Sequence, residues 1–129
     1  MNYKFKLLLL AITCTYLYVQ AGVIHIASFD QLSSIIKSTK NVIIKFYADF
    51  CPPCKNFAPL YKQVSEEQTF NSVTFVEVNT QQCPDIARSY GVQSIPMMVF
   101  VKDQKNIGTQ TGGKTIGQFR ALIKSYFSL

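Results

Sequence analysis

Two cysteines separated by two prolines, Cys51-Pro52-Pro53-Cys54, are the residues of this chain best suited to chemistry. A thiolate is both a nucleophile and a metal ligand. Such a pair can close a disulfide, open it again, or supply half of a zinc site. As a structural staple it is poor, because so short a loop restrains little of the unfolded chain. A zinc site would need further ligands, and the candidates are Cys83 and the single histidine, His25. Nothing in their spacing brings them to the pair, so no metal is expected. His25 reads as an exposed polar residue of a strand. Cys83 stands just before Pro84 at a helix start and reads as a partly buried thiol. Moderate reactivity, or a regulatory or dimerising disulfide, is its alternative.

The pair needs a scaffold that keeps one sulfur ionised and open to attack. Val42–Tyr47 is apolar except for Lys45, which suits a central strand covered on both faces. The CPPC segment follows almost at once. Prolines are tolerated in the first turn of a helix, so a helix is expected to begin there. Phe57, Leu60, Tyr61 and Val64 continue it at helical spacing, and Pro59 is expected to kink it. Cys51 then sits at the amino end, where free amides and the helix dipole favour a thiolate. Cys54, one turn in, is placed to resolve a mixed disulfide.

The remaining elements alternate. Val23–Ile26 is a short first strand, and Ser28 with Gln31 forms a capping box for a helix to about Lys37 that turns Leu32, Ile35 and Ile36 inward. Asn41 reads as a break. Val73–Val78 is a strand, Pro84–Tyr90 a short helix ended by Gly91, and Met97–Val101 a strand. Lys102–Asn106 reads as a polar turn before a fifth strand, Ile107–Thr111. Thr115 and Gln118 cap a last helix with Ile116, Phe119, Ile123 and Tyr126 on one face. The order predicts an α/β fold, with a mixed sheet because the last two strands form a hairpin.

Residues 1–21 read as a signal peptide. Lys4 and Lys6 precede the apolar run Leu7–Val19, and Val19-Gln20-Ala21 offers a cut after Ala21. The run is short for a membrane span, so no stable insertion is expected after cleavage. Export into a secretory lumen, the periplasm or the medium follows. Residues 22–129 are then one domain. Losing Lys4 and Lys6 leaves 11 basic against 7 acidic side chains, a net charge of +4. The Lys and Arg residues are scattered, which speaks against a nucleic-acid partner.

FYADFCPPCKNFAP (residues 46–59) resembles the active-site region of the thioredoxin family. YGVQSIPMMVF (residues 90–100) is similar to that family's segment before its cis-proline, and Gly112 to its late glycine. The resemblance spans essentially the whole of 22–129. It implies a thioredoxin fold, a central mixed five-stranded sheet flanked by four helices. It implies a protein-disulfide reductase without a bound cofactor, acting as a monomer on protein disulfides. Its electrons would come from an upstream dithiol or a donor of the thioredoxin-reductase type. Cys51 would attack and Cys54 resolve, with Phe50, Pro53, Ile95, Pro96 and Gly112 facing the substrate. An oxidase or isomerase, or a binding or chaperone subunit with incidental redox activity, is the alternative.

Three departures from the family pattern carry information. Phe50 stands where the family usually has Trp, and the chain has no tryptophan. It keeps an apolar face but no indole N–H. Pro52 replaces a common Gly and removes one amide donor from the Cys51 sulfur. That leaves the thiolate less stabilised and makes the couple more reducing. Lys45 occupies the position where the family commonly buries an Asp beneath the resolving cysteine, and Glu77 the position where it often has Lys. An exchange of signs suggests that the two side chains meet, because an unpaired buried charge is costly. Glu77 would then take the proton of Cys54. The alternative is two unrelated side chains reaching solvent.

Overall fold

The computed structural model describes residues 22–129, so the expected leader lies outside the described residues. Five strands and four helices follow one another: β1 (Val23–His25), α1 (Phe29–Ser38), β2 (Asn41–Tyr47), α2 (Pro52–Ser65), β3 (Val73–Asn79), α3 (Pro84–Ser89), β4 (Met97–Lys102), β5 (Lys105–Thr111) and α4 (Ile116–Phe127). A short 3-10 turn, Gln68–Phe70, leads into β3. The sheet order is β1-β3-β2-β4-β5. β3 runs parallel to both β1 and β2, whereas β4 is antiparallel to β2 and β5. This is the expected mixed five-stranded sheet with four helices.

Side chains alternate across the sheet, so each covered face has its own core. Val42, Ile44 and Phe46 of β2 pack with Leu32 of α1 and Ile86 of α3. Ile43 of β2 and Phe75 of β3 face the other way, onto Phe57 and Tyr61 of α2 and Phe119 and Ile123 of α4. Tyr61 stacks on Phe119 with ring centroids 5.5 Å apart, and Phe57 meets the edge of the same ring at 5.2 Å. Each such buried side chain contributes about 1.5–3 kcal/mol of transfer free energy. The aromatic cluster thereby fixes α2, and with it the cysteine pair, against the sheet.

Several boundaries differ from the reading of the sequence. Asn41 does not break the chain. It is the buried first residue of β2, paired with Val73 on one side and Lys102 on the other. Strand pairing on both sides overrides the turn preference of a lone Asn. β5 begins at Lys105 because the turn is only Asp103-Gln104, both at positive φ (50° and 66°). Two left-handed residues give the twist that a two-residue hairpin requires. β1 ends at His25, although the Ile26 amide still donates to the Glu77 carbonyl at 2.9 Å. Ser28 accepts from the Gln31 amide as expected, but Gln31 returns its bond to the Ala27 amide, not that of Ser28. At Thr115 and Gln118 both bonds of the capping box form. α2 continues to Ser65 with Pro59 inside it, at an exposed position.

The Tyr61 hydroxyl points into the sheet, within 2.8 Å of the Val76 carbonyl and 3.0 Å of the Ile43 carbonyl. Burial, and secondarily the Glu77 charge, push its phenol well above the ordinary value of 10.0. The native state thus keeps a proton that the unfolded chain releases near pH 10. Stability from this group is complete below that pH and is lost as pH rises towards the folded value. Tyr61→Phe should cost about 1 kcal/mol at neutral pH through the lost hydrogen bond. It should also make the decline above about pH 10 shallower. Urea midpoints across that range check both effects; an equally steep alkaline decline in the variant would contradict the second.

Candidate active site

α2 starts at Pro52 with Cys51 as its N-cap. Pro52 and Pro53 bring no amide hydrogens, so the first N–H of the helix belongs to Cys54. It donates to the Cys51 sulfur at 3.2 Å. The two cysteines form a disulfide, 7% and 3% exposed. Phe50, beside Cys51, is 89% exposed and has no packing role.

Two loops border the pair. Ile95-Pro96 is cis, and the Ile95 carbonyl oxygen lies 3.9 Å from the Cys51 sulfur. The Pro96 carbonyl accepts from the Gly112 amide at 2.8 Å, which ties the end of β5 to the start of β4. Gly112 has φ +78°, a left-handed conformation that glycine adopts without steric cost. The Lys114 ammonium donates to the carbonyls of Thr111 (2.6 Å) and Gly112 (3.0 Å) and so clamps the turn. A side chain on Gly113 would stand 3.8 Å from the Pro53 carbonyl, so this turn borders the first turn of α2. Of the expected substrate-facing residues, Ile95 borders the Cys51 sulfur directly, Pro96 and Gly112 are joined to each other behind it, and Phe50 and Pro53 lie beside Cys51 in the chain. On the other side Asn79, 4% exposed, donates to Asp49 at 3.2 Å, and its own side-chain oxygen accepts from the Gln81 amide at 2.9 Å. This bond steadies the segment between β2 and the pair.

Beneath the pair, Lys45 and Glu77 meet. Their strands are parallel neighbours, and the two residues face each other in register. The Lys45 ammonium lies 2.6 Å from Glu77 Oε2, with side-chain exposures of 3% and 12%. It also stands over the Tyr61 ring, 4.4 Å from its centroid. Lys45, Tyr47, Phe50, Cys54, Lys55 and Glu77 line a hollow of about 410 Å³. Its volume admits water, and its walls offer polar partners. Burial, and then the Glu77 charge, raise the Tyr47 phenol above its usual range.

His25 is exposed, as expected, but the strand reading missed its partner. Its Nδ1 lies 3.0 Å from Glu77 Oε1. The parallel register of β1 on β3, which sets His25 opposite Glu77, is the signal that would have revealed it. Cys83 belongs to the opposite face of the sheet. It is 5% exposed and its thiol donates to the Ile26 carbonyl at 3.7 Å, so it packs as a small buried side chain. Such burial does not suit a regulatory or dimerising disulfide. Among the described residues no cluster of ligating side chains could hold a metal ion.

A reversible dithiol at a helix start, flanked by a cis-proline turn that presents backbone to it, defines a thiol–disulfide oxidoreductase. The chain belongs to the thioredoxin family, whose family model, Thioredoxin, matches residues 22–125. A thioredoxin-like protein of Fusarium culmorum is 40% identical over 84 residues, 64% of this chain and 69% of that protein. A thioredoxin of Mycoplasmoides gallisepticum is 30% identical over 100 residues, covering 78% and 98%. The crystal structure of Malassezia sympodialis thioredoxin superposes with a TM-score of 0.76 at 29% identity, covering 83% of this chain and 92% of that one. The enzyme class is therefore that of a protein-disulfide reductase.

Proposed function

We propose that this enzyme is an exported, monomeric reductase of protein disulfides, drawing electrons from an upstream dithiol or a reductase of the thioredoxin-reductase type. The observation that carries the reading is the environment of the Cys51 sulfur: a helix N-cap with one amide donor, 3.9 Å from a backbone carbonyl at a turn. In the reduced enzyme the Cys51 thiolate attacks one sulfur of a substrate disulfide. The other substrate sulfur leaves as a thiolate and takes a proton. Cys54 loses its proton and attacks the Cys51 sulfur. The bond to the substrate breaks, the second substrate thiolate departs, and the Cys51–Cys54 disulfide remains. Two electrons have passed from the pair to the substrate.

Glu77 takes the Cys54 proton through water in the hollow that both side chains line. The substrate chain lies along Phe50, Pro53 and Gly112 and pairs with the backbone at Ile95-Pro96, as an added strand would. The sulfur of Cys51 has only the Cys54 amide where a residue other than proline at position 52 would add another. A poorly stabilised thiolate favours the reducing direction. The reduction potential should therefore fall near the thioredoxin value of about −270 mV; a value near about −120 mV would identify an oxidant. Export rests on the residues of 1–21, and an amino-terminal sequence of the cell-released protein beginning at Gly22 is the expected result. Retention of the intact chain inside the cell would refute it.

A further inference from the structure

Glu77 has two occupied oxygens, and the reaction above uses only one side of it. Oε2 holds the Lys45 ammonium at 2.6 Å, and Oε1 faces His25 Nδ1 at 3.0 Å. The three residues form one row across β1, β3 and β2, His25 opposite Glu77 and Glu77 opposite Lys45. The row begins beneath Cys54 and ends at a side chain that is 72% exposed. If a proton stayed on Glu77, the carboxylate would lose its ion pair and leave the Lys45 ammonium buried without a counter-charge. The proton has to move on. The second oxygen of Glu77 has an imidazole nitrogen within transfer distance, and that ring is in contact with bulk water.

We propose that His25 is the proton outlet of the resolving step. The inference rests on Glu77 being the acceptor for Cys54. While Glu77 is a carboxylate, the ring donates its Nδ1–H to Oε1 at 3.0 Å. Once the Cys54 proton has reached Glu77, the exposed ring exchanges through solvent to its Nε2–H tautomer, and Nδ1 accepts the proton from Oε1. The imidazolium so formed gives its Nε2 proton to water, which restores the Nδ1–H ring and the carboxylate. The Cys54 thiolate so formed attacks Cys51, and the departing substrate thiolate takes its proton from solvent, so charge and protons balance. His25 acts through Glu77 and touches no reacting sulfur; it is a positioning residue for the proton. The charged or titratable groups that face it are Glu77 from β3, Lys45 beyond it from β2, and Lys62 from α2, which lines a hollow with His25 and Glu77. The Lys62 ammonium is itself paired with Glu66 at 3.7 Å.

The test is the resolving step followed by stopped flow, with the reduced protein mixed with an aromatic disulfide reagent whose released thiolate is coloured. His25→Asn should slow release of the second chromophore about tenfold, below the ~10²–10⁴ that a direct proton-transfer group supplies. Imidazole added to the buffer should restore the rate. Slow release that imidazole does not rescue would mark His25 as merely structural and overturn the outlet. An unchanged His25→Asn beside a slowed Glu77→Gln would also overturn it while leaving Glu77 as acceptor. If neither variant is slowed, both the outlet and the acceptor role fail.

Discussion

Cys51→Ser should abolish disulfide reduction, lowering turnover of an insulin substrate by on the order of 10⁴-fold or more, as loss of a covalent nucleophile does. The reason is local. Cys51 caps α2, its sulfur receives the Cys54 amide hydrogen at 3.2 Å, and it is the sulfur that borders the Ile95 carbonyl. A serine hydroxyl in that place accepts the same amide bond, so the fold should persist. It does not ionise near neutral pH and forms no disulfide, so the first step has no nucleophile. Cys54→Ser should behave differently. Cys51 still attacks, but nothing resolves the product, and the substrate stays attached to the enzyme through one disulfide. Mass spectrometry of the trapped adduct would show whether attachment is at position 51. Reduction at the native rate by the Cys51→Ser protein would defeat the assignment. An intact cellular role in that variant would instead favour a binding or chaperone subunit with incidental redox chemistry.

The features of the site that lie close together in the chain were legible in the sequence. Two prolines after Cys51 mark a helix start, and Cys51 is the N-cap of α2. Thr115 with Gln118 marks another, and both bonds of that capping box form. These motifs act within one helical turn, so residue types alone specify them. What escaped depends on which strands become neighbours. Asn41 looks like a breaker in isolation, yet partners on both sides hold it in the sheet. Asp103-Gln104 does not carry the Gly or Asn that usually announces a tight hairpin, and adjacent strands impose the turn. The meeting of Lys45 and Glu77 was accessible only through the family pattern of exchanged signs. His25 was out of reach even so, because a three-residue strand carries no periodicity from which to read its register.

The ion pair beneath the cysteines should prove expensive to break and cheap to replace. Glu77→Leu leaves an ammonium with 3% side-chain exposure and no counter-charge, which should cost about 3–5 kcal/mol in denaturant unfolding with the cysteines held in one redox state. The Tyr61 ring, 4.4 Å from that ammonium, offsets part of this, on the order of 1 kcal/mol. Lys45→Met should cost less, because Glu77 keeps His25 and some contact with water. The double variant Lys45→Met with Glu77→Leu removes both charges and fills the space with apolar atoms. Its stability should return to the native level or exceed it, by up to about 4 kcal/mol. The cycle then shows a large coupling energy without a net stabilising role for the pair. A pair that does not stabilise the fold needs another reason to lie under a resolving thiol. Proton removal supplies one, and it requires the refolded double variant to resolve mixed disulfides slowly although it is stable. A double variant that is both stable and fast would reduce Lys45 and Glu77 to a neutral exchange of charges in the sheet.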